Sequence, residues 1–113
     1  MPRSKSSLID ILNSCKSIER FIENKTFSDF SENEILQEAV MRKIEIIGEA
    51  SNRVSDIIKN EFSYLPWKKM KAMRNILIHM YDELDINIIW DTALNDIPKL
   101  KNQIEHLISC LKD

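Results

Sequence analysis

Arg74, His79 and Tyr81 lie in the stretch MRNILIHMY, residues 73–81, among apolar residues of the kind that normally go to a core. An arginine grips a phosphate with two parallel hydrogen bonds and stabilises charge developing on it. A histidine titrates near neutral pH and moves a proton. Together they fit metal-free cleavage of RNA, in which the ribose 2′-hydroxyl attacks the adjacent phosphate. DNA lacks that hydroxyl and would be spared. The same residues also have a bland reading: a salt-bridged structural arginine, a surface histidine and an interface or core-edge tyrosine.

On a helical wheel at about 100° per residue, Met70, Met73, Leu77 and Met80 fall together and should face the core. Lys71, Asn75 and His79 form a polar stripe at i, i+4 and i+8, with Lys68 beside it. Arg74 stands about 140° from His79 on an ideal helix, so the two do not converge by spacing alone. Either the long arginine wraps round, or the helix distorts near its end, or a second copy of the chain completes the site. Tyr81 follows where the helix should end, just before Asp82, Glu83 and Asp85.

Other chemistries find little support. Two histidines and two cysteines, scattered along the chain, give no zinc-ligand spacing. One glycine cannot make a phosphate-cradling loop. The carboxylates do not cluster as a two-metal nuclease requires, and heptads are not sustained enough for a coiled coil. No metal and no cofactor are expected. His106, among Ile104, Leu107 and Ile108, reads as structural. Cys15 and Cys110 fall at core-like helical positions and read as buried free thiols in a reducing cytoplasm.

The net charge of −2 does not suggest a nucleic-acid binder, but its distribution is uneven. Lys68, Lys69, Lys71 and Arg74 stand between Trp67 and Met80 with no acidic residue among them. Such a local basic patch can hold a phosphate. No signal peptide is visible, and no segment approaches the roughly 20 apolar residues that span a bilayer. The expectation is a soluble cytoplasmic protein without a membrane partner.

With 113 residues, one glycine and three prolines, the chain reads as one all-α domain. A first helix is expected over about 6–24, with Leu8, Ile11, Leu12, Cys15, Ile18 and Ile22 on its inner face. KTFSDFS follows as a loop. Ser31 and Glu34 suggest a capping box opening a long helix over about 32–59. Its apolar stripe includes Ile35, Leu36, Val40, Ile44, Ile47, Val54, Ile57 and Ile58. Gly48 inside it costs on the order of 1 kcal/mol relative to alanine, which points to close approach of another backbone. Pro66 opens a third helix, reaching about His79. A fourth starts near Leu84, and Pro98 either interrupts it or opens a last helix with Leu100, Ile104 and Leu107 inside. The architecture is an up-down bundle of four or five helices.

IEIIGEA (44–50), LPWKKMKAMRN (65–75), H-M-Y (79–81) and IIWDTALNDIPKLKNQI (88–104) occur in order. In these motifs the chain resembles the HepT-like toxins of the HEPN superfamily, from about Leu8 to Glu105. The resemblance implies a single HEPN-like domain over 1–113 that forms a homodimer, with the R-x4-H motifs of both copies meeting in a cleft. It implies a metal-independent ribonuclease, the toxin of a type VII-like toxin–antitoxin pair, acting on RNA. It further implies an antitoxin partner like MntA, a nucleotidyltransferase that adds AMP to the motif tyrosine. Carried over residue by residue, Arg74 and His79 are catalytic, Asn75 is the polar residue after the arginine, and Tyr81 takes the AMP. Lys68 and Lys71 are then candidates to bind RNA. The alternative is a catalytically inert helical module that dimerises and binds a nucleotidyltransferase.

Overall fold

The structure is a computed structural model that describes residues 2–79 and 85–111, without the side chains of Pro2 and of residues 75–79. Every regular element among the described residues is helical. Helix α1 spans Pro2–Ile22, α2 Phe27–Ser31, α3 Glu34–Asn52, α4 Asp56–Glu61 and α5 Trp67–His79. Helix α6 (Ile86–Asp91) runs through a π-helical turn (Thr92–Asp96) into α7 (Ile97–Cys110). Helix α1 packs on α3 and α7, and α3 also packs on α5.

The 3.6-residue repeat decides what is buried. Leu8, Ile11, Cys15 and Ile18 of α1 meet Val40, Ile44 and Ile47 of α3 and Leu100, Ile104 and Leu107 of α7 in one core. Met70 and Met73 of α5 join it, as the wheel predicts; Leu77 and Met80 lie outside the described side chains. Among the described residues no helix is long and apolar enough to cross a membrane.

Several expectations are corrected. KTFSDFS is not all loop. Thr26 and Asp29 form a reciprocal capping box, the Asp29 N–H donating to Thr26 Oγ1 at 3.1 Å and the Thr26 N–H to Asp29 Oδ2 at 2.8 Å. That box starts α2 and turns Phe30 into the core, 5.3 Å from the Trp90 ring. Ser31 therefore ends α2, and Asn33 caps α3 by accepting from the Leu36 N–H at 3.0 Å.

The long helix expected over 32–59 is two helices. Helix α3 stops at Asn52, and Ser55 caps α4 by accepting from the Ile58 N–H. The Ser55 N–H in turn donates to Ser4 Oγ of α1 at 3.0 Å, which ties the corner down. The break keeps Val54 and Ile58 buried but turns Ile57 out, at 67 % exposure; Ile35, on the first turn of α3, is also outside at 81 %.

Of the two readings of Pro98, the second holds: it lies in the first turn of the last helix. A proline ring clashes with the carbonyl four residues back and supplies no N–H. The preceding turn widens so that the Ile97 N–H donates to the Thr92 carbonyl, five residues back, and the rod continues through the proline. Cys110 is exposed, not buried: it lies on the last turn of α7, its Sγ 3.6 Å from Nε2 of an exposed His106. Cys15 is buried as expected, and its thiol is pushed up to about 12, chiefly by burial and then by the Glu19 carboxylate.

Candidate active site

Helix α5 carries the candidate residues, and its start is fixed locally. Leu65 is buried, and the Trp67 indole N–H donates to the Phe62 carbonyl at 3.0 Å, which pins the ring against the end of α4. The Lys59 ammonium sits 5.9 Å from the centre of that ring, within cation–π range. From there Met70 and Met73 anchor the inner face, and the basic side chains are left outside.

Lys68, Lys71 and Arg74 are all exposed. At three-residue spacing they follow a shallow spiral over about 120° of the helix surface. Lys69, the fourth cation of the stretch, differs from them. Its Nζ lies 2.9 Å from Asp96 Oδ1 on the π turn, so its charge is matched and it fastens α5 to the α6–α7 rod. Sequence reasoning grouped Lys69 with its neighbours in one basic run; the partner is distant in sequence and left no local signal.

The backbone of Asn75 and His79 completes α5. The side chains of both, and Tyr81 altogether, lie outside the described residues. Of the sequence-derived set the structure therefore brings Lys68, Lys71 and Arg74 onto one exposed helix surface, with the His79 backbone further along the same helix.

The expected close approach at Gly48 is present, and it is to Arg74. A Cβ built on Gly48 would lie 2.7 Å from the Arg74 Cβ, 3.0 Å from its backbone N and 3.3 Å from its Cα. Arg74 thus leaves α5 where the helix lies close against the bare α3 backbone at Gly48, and its side chain still reaches solvent. Among the described residues no group of three or more His, Cys, Asp and Glu side chains is placed to hold a metal ion.

The profile of the family described as "Ribonuclease HepT-like" matches residues 11–107, from α1 through α7. The chain belongs to the ribonuclease HepT-like family. Similar chains include "Putative RNase MJ1380" of Methanocaldococcus jannaschii, 38 % identical over 89 % of this chain and 93 % of that one. "Probable ribonuclease HepT" of Thermococcus cleftensis is 41 % identical over 95 % of this chain and 98 % of its own. No solved structure gives a significant match. In this HepT-like chain the family match covers Gly48, the whole of α5 and the Lys69–Asp96 ion pair that links α5 to the π turn.

Proposed function

We propose that this chain is an endoribonuclease, the toxin of a toxin–antitoxin pair, and that it cleaves RNA with Arg74 and His79 at the cleft of a homodimer. The observation that carries the reading is an arginine emerging from the α3–α5 seam beside two exposed lysines, in a chain of the ribonuclease HepT-like family. Lys68 and Lys71 hold the RNA backbone, and Arg74 pairs with the oxygens of the scissile phosphate. The 2′-oxygen bonds to phosphorus as its proton departs. The bond from phosphorus to the 5′-oxygen breaks, and that oxygen gains a proton. His79 moves the proton and Arg74 stabilises the charge gathering on the phosphoryl oxygens. Asn75 adds a polar contact. The products are a 2′,3′-cyclic phosphate and a 5′-hydroxyl, with no metal required.

Arg74 and His79 diverge around an ideal helix, which favours a site completed by a second copy. Neutralisation follows if a nucleotidyltransferase partner adds AMP to Tyr81. The phosphodiester would then bring negative charge beside Arg74 and Lys71, where a substrate phosphate belongs.

The decisive experiment incubates the purified chain with labelled RNA in EDTA and maps the ends. Cleavage to cyclic phosphate ends, abolished by His79→Ala and by Arg74→Ala with the fold intact, is expected. No cleavage by a folded dimer that still binds a nucleotidyltransferase would identify the inert module instead. Light scattering should give a dimer; a clean monomer would count against the shared cleft. After co-expression with the nucleotidyltransferase, intact mass should show whole AMP additions that vanish in Tyr81→Phe. An unmodified Tyr81 in a neutralised complex would mean inhibition by binding.

A further inference from the structure

We infer that Gly48 is a positioning residue for Arg74: the bare α3 backbone at Gly48 seats the Arg74 Cβ and fixes where the guanidinium leaves the α3–α5 seam. The inference rests on the reading that Arg74 meets the scissile phosphate.

The glycine is not there for backbone freedom. Gly48 does not have a positive φ, and it lies mid-helix, where alanine is the better helix former. Space is the remaining reason. All three atoms nearest to its missing Cβ belong to Arg74, and they are N, Cα and Cβ. None of these can swing aside as the end of a flexible side chain could. Carbon atoms rest about 3.5–4.0 Å apart, so a methyl at Gly48 would require a shift of roughly 1 Å at the 2.7 Å contact.

Helix α3 is poorly placed to absorb that shift. Ile47, next to Gly48, is fully buried, and Ile44 and Met73 are nearly so, so parting the two helices would open the core. The Ser51 hydroxyl donates to the Gly48 carbonyl at 2.8 Å and further fixes the local backbone. The displacement falls on α5 at Arg74. From a seated Cβ, only the outer bonds of the side chain remain to aim the guanidinium. Misplacing a catalytic group by about 1 Å costs on the order of 100-fold in rate.

The test is a double-mutant cycle in the full chain. Gly48→Ala should keep its helical circular dichroism and lose about 100-fold in turnover. It should also weaken binding of a non-cleavable 2′-O-methyl RNA, and that weakening should vanish when Gly48→Ala is added to Arg74→Ala. A purely structural role would weaken binding equally in both backgrounds, and that result overturns the inference. So does wild-type turnover by folded Gly48→Ala. If Gly48→Ala does not fold, Gly48→Ala/Arg74→Gly removes the 2.7 Å contact and keeps those to the residue-74 backbone at 3.0 and 3.3 Å. That pair should regain helical circular dichroism that Gly48→Ala lacks; no gain overturns the inference. Wild-type cleavage by Arg74→Ala would instead remove the reading of Arg74 itself, whatever Gly48→Ala does.

Discussion

The seam between α1 and α7 and the seam between α3 and α5 are closed in opposite ways. Across the first, side chains fill the space. Cys15, Ile18, Ile104 and Leu107 are fully buried, and the rim is sealed by Lys101 Nζ on Glu19 Oε1 at 2.8 Å. At the second, the helices meet where one of them has no side chain, and an exposed arginine rises from the contact. A filled seam gives stability. A seam closed on glycine gives up some helix propensity and gains a fixed origin for a charged side chain.

The largest expected effects are a mirror pair. Ile104→Ala should destabilise the fold by about 2–5 kcal/mol in denaturant titration, because it empties a fully buried site, and leave cleavage per folded molecule unchanged. Arg74→Ala, at an exposed position, should shift stability by no more than about 0.5 kcal/mol yet lower cleavage by at least about 100-fold. Comparable losses of both properties in either variant would break the contrast between the seams.

The pH response of the filled seam comes next. The buried Cys15 thiol titrates near 12 in the folded chain, against 9.0 for an ordinary cysteine. Between those values the unfolded chain has released the proton and the folded chain holds it, so stability falls as pH rises through the window. Cys15→Ala should flatten that fall, read as urea midpoints of both proteins at several alkaline pH values. At neutral pH, iodoacetamide should label exposed Cys110 and leave Cys15 unmodified until the chain unfolds.

A smaller effect separates the lysines of α5. Lys68→Ala and Lys71→Ala should each weaken RNA binding and lower its salt slope by about 1. Lys69→Ala should leave the slope unchanged, because that ammonium is held by Asp96. Equal slopes for all three variants would dissolve the distinction. The smallest effect belongs to the rim of the filled seam. Glu19→Gln should lower stability by no more than about 1 kcal/mol, and less in high salt, since both partners of the ion pair are partly exposed.

Much of this was legible in the residues. Spacings of three and four placed Leu8, Ile11, Cys15 and Ile18 inside, as they placed Met70, Met73, Leu100, Ile104 and Leu107. The same rule failed at Ile35 and Ile57, which lie where a helix begins or restarts and periodicity no longer tracks one face. Ser55 followed by Asp56 carried the start signal of α4, and Thr26 with Asp29 that of α2. A continuous apolar stripe hid the first, and the short length of α2 hid the second.

The sequence by itself determined that the chain is helical, which faces of the long helices are apolar, and that it belongs to the HepT-like family. These are local or ordered patterns, carried by neighbours three or four residues apart or by residue identity. Only the tertiary structure decided that Cys110 stays outside, that Lys69 is matched by Asp96, and that the backbone approaching Gly48 is that of Arg74. Each depends on how far two helices slide along one another before their side chains interlock. That distance is set by the whole packed core and by no single segment.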